Sequence, residues 1–130
     1  MIRGIGIDLV DNNRIRKIHN KYSDNFAKKI LSDDEYTEYL RARLKINYLA
    51  KHFATKEAFS KAAGTGLFRK GLSPSVLNIS HDAFGKPIFK PNKKYVQFLN
   101  DLNIKNAHIS ITDIDKTTAA IVILESNEIS

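Results

Sequence analysis

The chain has 130 residues, 42% apolar and 27% charged, with no cysteine. That size and balance suit one small globular domain over residues 1–130 and exclude disulfides and thiolate metal sites. A formal net charge of +7 favours acidic partners, whether proteins, nucleic acid or phosphorylated small molecules, although a solvated basic face kept for solubility reads the same way.

No apolar run approaches the ~20 residues that a membrane-spanning helix needs. Met1-Ile-Arg-Gly4 passes straight into a strand pattern, without the profile of a signal peptide. A cytoplasmic protein without membrane contact is expected. Ile2 to Val10 alternates and predicts a first strand, and Asp11-Asn12-Asn13 supplies a helix cap. Ile15, Ile18 and Tyr22 then recur at helical spacing, with basic residues on the other faces. Over residues 14–29, Arg14, Arg16, Lys17, Lys21, Lys28 and Lys29 are opposed by Asp24 alone. Ser32-Asp-Asp-Glu35 is a capping-box sequence that opens a helix to about Arg43.

A long helix is expected from about Asn47 to Ala63. Leu49, Ala50, Phe53, Ala54 and Ala58 form its inner stripe, and Gly64 and Gly66 end it. Pro74 to His81 alternates as a strand, Asp82 to Pro87 is turn chemistry, and Ile88-Phe89 resumes an extended segment. A helix over Asn92 to Leu102 follows. Strands over Ala107 to Thr112 and Thr117 to Glu125 come last, joined by the four residues Asp113 to Lys116. The final strand is nearly all apolar, so it should lie centrally or be covered on both faces. Helices in the first half and strands mostly in the second predict an α+β fold.

Three residues draw attention as chemistry. Asp8 shares a strand face with Gly4 and Gly6, whose missing side chains leave room for a ligand; ending the strand or capping a helix is its plainer role. Glu57 and Lys61 are spaced i, i+4, an arrangement that as a surface ion pair is worth only about 0.2–0.5 kcal/mol. Here Phe53, Ala54, Ala58 and Phe59 make the helix too apolar for full exposure. The pair therefore sits at the margin of a buried face, where a carboxylate needs Lys61 or a metal as counter-charge. Gly64-Thr-Gly66 reads first as helix termination, because a helix C-terminus presents carbonyls to an anion. His108, Ser110 and Thr112 form a polar strip on one strand face, although a lone strand histidine is more often structural.

Gly4-Ile-Gly6-Ile-Asp8 and Phe53-Ala-Thr-Lys-Glu57-Ala-Phe-Ser-Lys61-Ala-Ala-Gly64-Thr-Gly66 resemble the two signature blocks of the holo-acyl-carrier-protein synthases, the small bacterial 4′-phosphopantetheinyl transferases. The likeness continues through Arg14-Ile15, Ala27 to Leu31 with Ser32-Asp-Asp-Glu35, Gly85-Lys86-Pro87, His108-Ile-Ser110-Ile and the last strand ending at Leu124-Glu125. The resemblance implies a fold in which an antiparallel sheet packs with helices, one of them long and central. It also implies transfer of phosphopantetheine from coenzyme A to a serine of apo acyl carrier protein, in support of fatty acid biosynthesis. Asp8 and Glu57 would then hold Mg²⁺, and Lys61 would meet phosphate. Arg43, Lys45, His52, Gly64, Lys86, Pro87 and His108 would line the coenzyme A groove. Arg14, Lys17, Ile18 and Lys21 would contact the acidic carrier protein. The family is trimeric with shared active sites, which would account for an apolar final strand in so small a chain.

Two residues depart from the family pattern: His52 stands where Arg is usual, and Thr117-Thr118 replaces a more usual aromatic-containing pair. A histidine in place of a bidentate arginine would make a weaker, pH-dependent phosphate contact. The alternative from another class is a basic nucleic-acid-binding module, supported by a pI of about 9.6 and by Tyr22, Phe26, Phe53 and Phe59. It lacks a recognisable binding motif, and the reading carried forward has no nucleic acid partner.

Overall fold

A three-stranded antiparallel sheet lies against one long helix, and two glycines set how closely they approach. The computed structural model describes residues 1–67 and 72–127. The sheet contains β1 (Ile2–Asp11), β4 (Ile104–Ile114) and β5 (Thr117–Ser126) in the order β1-β5-β4. The helix is α4 (Lys45–Ala63), which opens two residues earlier than Asn47 and closes at Gly64, whose φ of 75° is left-handed. Around it pack α1 (Asn12–Tyr22), α2 (Asp24–Ile30), α3 (Asp33–Arg41) and α5 (Lys93–Asp101). A hairpin of β2 (Asn78–His81) and β3 (Pro87–Lys90) completes an α+β architecture.

The inner face of β1 presents Gly4, Gly6, Asp8 and Val10. A Cβ placed on Gly6 would stand 1.9 Å from the Ala58 carbonyl oxygen, and one on Gly4 would stand 1.9 Å from that of Ala62. The glycines therefore make room for the backbone of α4 and not for a ligand, which corrects the sequence expectation. Ala50, Ala54, Ala58 and Ala62 are all buried at four-residue spacing, so the helix offers the sheet a flat, small-residue side. It is buried on its other sides too, with Leu49 and Phe59 fully enclosed, as a central helix must be.

Several local expectations are borne out. Asp11 caps α1 by accepting from the Asn13 amide, Ser32 and Glu35 close a capping box, and the helix expected over Asn92 to Leu102 is α5. The apolar β5 occupies the middle of the sheet. Four details differ. The helix α2 carries only Phe26, Ala27 and Ile30 as apolar residues in a single two-turn segment, too short for a periodic signal. α3 ends at Arg41, where Ala42 turns extended. Pro74–Val76 is a short 3-10 helix, so the strand begins only at Asn78. The β4–β5 turn is tighter than four residues, because Ile114 pairs with Thr117 and Asp115 takes a positive φ of 54°.

Candidate active site

Asp8 is the last inward residue of β1 before Val10 enters the core, and its side chain remains 15% exposed. Lys61, on the final turn of α4, reaches across to it. The ammonium donates to Asp8 Oδ1 at 3.0 Å and to the Ile7 carbonyl at 3.0 Å. One turn earlier, Glu57 faces the same cleft of about 380 Å³, which Asp11, Arg14 and Phe53 also line. Strand and helix thus bring together the three residues singled out from sequence.

The charge partners differ from the i, i+4 expectation. Lys61 pairs with Asp8, while Glu57 has no cation within 4.0 Å among the described residues. Burial first, and the Asp8 charge second, push the Glu57 carboxyl above the usual carboxylate range; Lys61 and Arg14 pull the other way. With Asp11 also lining the cleft, three carboxylates face Lys61 and Arg14, so the site is short of positive charge. No cluster of three or more His, Asp or Glu with metal-holding geometry exists among the described residues. The donor set still fits Mg²⁺, which typically takes one or two carboxylates and completes its shell with substrate phosphate and water.

The remaining candidates lie elsewhere. Arg43 is exposed in the α3–α4 connection. Lys45 donates to the Leu40 and Ala42 carbonyls at 3.1 Å each, so it caps the end of α3, and its ammonium lies over the Tyr39 ring at 5.6 Å. Gly64 is open, with nothing near its missing Cβ. Lys86 and Pro87 belong to the β2–β3 hairpin. His108 is exposed and bonded to Glu125. Its register neighbour is Ile123, opposite Ile5, and all three point to the sheet face that α4 does not cover. Asp8 points to the other face, so one chain does not bring His108 to the Asp8–Glu57 cleft.

His52 is nearly enclosed rather than presented to solvent. Its ring stacks on Tyr48 at 3.9 Å, its Nδ1 bonds the Tyr48 carbonyl, and its Nε2 lies 3.7 Å from Glu35. Its neighbours form a buried ionic cluster that sequence reasoning missed. Lys56 and Glu35 are fully buried and meet at 2.6 Å; Lys56 also donates to the Ile30 and Pro74 carbonyls, while Glu35 accepts from the Ser32 and Ile79 amides. A signal was present: Leu49, His52, Lys56, Phe59 and Ala63 follow one three-and-four stripe of α4. A lysine in such a stripe calls for a buried partner. Thr118, part of the second departure, is buried and donates to Asn12.

On the basic side, Arg14, Lys17 and Lys21 are exposed and Ile18 is half-buried. Ile18, Tyr22, Asn25, Phe26 and Lys29 line a groove of about 400 Å³ between α1 and α2. The aromatics of the nucleic-acid alternative do not form an exposed row: Phe59 is fully buried, and Phe26 packs on Phe53 at 5.9 Å. No described helix is long and apolar enough to cross a membrane.

A sequence model described as the 4′-phosphopantetheinyl transferase superfamily matches residues 4–122. The chain belongs to this family. It is 42% identical over 125 residues to a holo-[acyl-carrier-protein] synthase of Nitrosospira multiformis, covering 96% of this chain and 99% of that one. It superposes on the crystal structure of the Neisseria meningitidis synthase with a TM-score of 0.92 at 40% identity, covering 97% and 100% of the two chains. A Helicobacter pylori synthase solved in complex with coenzyme A matches with a TM-score of 0.80 at 30% identity, over 93% and 99%. In this transferase family member, the two signature blocks are the strand and the helix that meet at the cleft.

Proposed function

We propose that the protein transfers the 4′-phosphopantetheine group of coenzyme A to a serine of apo acyl carrier protein, releasing adenosine 3′,5′-bisphosphate. The observation that carries this reading is the meeting of Asp8 and Glu57 at one cleft, with Lys61 bonded to Asp8. Relatives named holo-[acyl-carrier-protein] synthase along almost the full chain support it.

In the reaction, the serine Oγ forms a bond to the phosphorus bearing the pantetheine arm, and the bond from that phosphorus to the adenylate oxygen breaks. Asp8 and Glu57 would hold Mg²⁺ beside the pyrophosphate. When bound, the ion neutralises charge that builds on the phosphate oxygens. Lys61 carries three N–H donors and spends two on Asp8 and Ile7, so one is left for a phosphate oxygen or the leaving bisphosphate. The serine proton needs an acceptor within hydrogen-bond reach, and a site carboxylate such as Glu57 or a water in the cleft would take it.

The carrier protein docks on α1. Arg14, Lys17 and Lys21 steer an acidic surface, and Ile18 with the α1–α2 groove offers the apolar anchor. The active assembly is a trimer with shared sites, in the cytoplasm. Two observations favour it. Ile5, Ile7 and Leu9 stay 57–70% exposed on an apolar sheet face, more than a small monomer comfortably leaves in water. His108 lies on that same face, away from its own chain's cleft, so it meets a coenzyme A site only if a neighbour supplies one.

The test is the intact mass of apo acyl carrier protein incubated with the protein, coenzyme A and Mg²⁺. One phosphopantetheine is gained, and EDTA, Asp8→Ala and Glu57→Ala each abolish the gain. No gain with several carrier proteins overturns the proposal.

A further inference from the structure

The corner between α1 and α2 is a single strained residue, Ser23. Its φ of 51° lies on the side of the backbone map that glycine favours, and a serine stays there only when its surroundings hold it. A buried hydroxyl does so. Tyr39 on α3 is fully buried, and its hydroxyl donates to Asp24 Oδ1, in the first turn of α2, at 2.8 Å. That uses its one proton, so the same oxygen accepts from Nε2 of His19, in the last turn of α1, at 3.0 Å. His19 and Asp24 stand 3.8 Å apart, too far to bond each other, and the Tyr39 oxygen bridges them. Burial first, and the Asp24 bond second, raise the Tyr39 hydroxyl above the usual tyrosine range, so it stays a neutral donor.

The bridge fixes the angle between the two helices that wall the α1–α2 groove. Ile18 and Tyr22 line it from α1, and Asn25, Phe26 and Lys29 line it from α2. The bonded residues are their neighbours in the chain, His19 next to Ile18 and Asp24 next to Asn25. Over residues 14–29 Asp24 is also the lone acid among six lysines and arginines, and its side chain is 49% exposed. On charge alone it would repel an acidic partner drawn to that face. Its bond to Tyr39 supplies a different reason for a carboxylate at that position.

We propose that Tyr39 and Asp24 are positioning residues for the carrier protein, holding α1 and α2 at the angle that opens the groove beside the basic face. The assignment rests on the transferase reading above and deepens it by naming what shapes its carrier-docking surface. Neither residue needs to touch the reacting groups, because the bridge acts through the helices that carry Ile18 and Phe26.

The experiment measures steady-state transfer by Tyr39→Phe, Asp24→Ala and Asp24→Asn, with apo carrier protein and coenzyme A varied in turn. Loss of one hydrogen bond predicts a rise of roughly 3- to 10-fold in the KM for carrier protein in Tyr39→Phe and in Asp24→Ala. The kcat and the KM for coenzyme A stay as in wild type, and combining the two substitutions raises the carrier-protein KM no further than either one. Asp24→Asn, whose amide oxygen still accepts from the hydroxyl, shows no rise. Charge alone predicts the opposite sign, a lower carrier-protein KM in Asp24→Ala, and that result overturns the proposal. So does an unchanged carrier-protein KM in Tyr39→Phe. A fall in kcat with both KM values raised also overturns it, since the bridge would then be a general support of the fold. Lys17→Glu tests the docking face by itself. A carrier-protein KM that it leaves unchanged takes the carrier off α1 and overturns this proposal with it. Wild-type protein that transfers nothing overturns the transferase reading, a result that the bridge variants cannot produce.

Discussion

Replacing Lys56 by Met keeps most of the side-chain volume and removes the charge from a fully buried site. Three bonds are lost, to Glu35 at 2.6 Å and to the Ile30 and Pro74 carbonyls at 2.6 and 2.9 Å. Burial already pulls the Lys56 ammonium below the usual lysine range, and the Glu35 charge is the principal force in the other direction. Removing one member of a buried pair costs about 3–5 kcal/mol, because the other charge is left uncompensated. Glu35 still accepts two amide bonds, so the lower end, about 3 kcal/mol, is expected. That is a large part of the roughly 5–15 kcal/mol of a typical domain. Adding Glu35→Gln in the Lys56→Met background removes the stranded charge while keeping an acceptor, and recovers about 1–2 kcal/mol. The assay is urea unfolding at neutral pH and one fixed protomer concentration, since any subunit association adds to the apparent stability. Strict additivity of the two substitutions, or a loss below about 1 kcal/mol for Lys56→Met, refutes the argument. The consequence reaches the active site, because Lys56 and Glu57 are consecutive. The same pin that ties α4 to α2, α3 and the Pro74 turn fixes the rotation at which Glu57 meets the cleft.

Two further outcomes follow from the packing. Gly6→Ala drives a methyl to within 1.9 Å of a helix carbonyl that cannot rotate away, and costs about 3 kcal/mol or more. Gly64→Ala meets nothing within 4 Å and pays only for its φ of 75°, about 1–2 kcal/mol; thermal melts that reverse this order would show the glycines to be misread. Burial holds His52 below the usual histidine range, against the pull of Glu35 and Glu38 and with Lys56 adding to the lowering. Below about pH 6.5 the unfolded chain therefore takes up a proton that the folded one resists, and stability falls as pH drops. His52→Gln removes that component, and identical urea midpoints against pH for wild type and variant would place the acid sensitivity elsewhere.

The parts of the fold legible in the sequence are those that one short segment dictates alone. A capping box at Ser32, a glycine after Ala63 and alternation over Ile2 to Val10 are local signals, and each element they mark is present. The errors arise where a segment is too short to show a period or where a distant residue supplies the reason. The helix α2 has seven residues, and the Pro74–Val76 turn follows from a proline at a helix start as readily as from a strand. The glycines of β1 could be read as space, yet nothing in Gly4-Ile-Gly6 says that the backbone of α4 fills it.

The site shows the same division more sharply. Asp8 and Glu57 could be chosen from sequence because glycine flanks and an apolar helix mark them locally. Their charge balance could not, since Lys61 turns from Glu57, four residues away, to Asp8, 53 residues away. That choice leaves Glu57 as the under-compensated carboxylate, raised by burial and by its neighbour. An ion pair between Glu57 and Lys61 would have made a quiet helix surface. The pairing across to the strand instead leaves Glu57 facing the cleft without a close cation, beside Asp8 and Asp11. On the proposed function, a divalent cation and a pyrophosphate would answer that imbalance together, the ion at the carboxylates and the phosphate at the lysine.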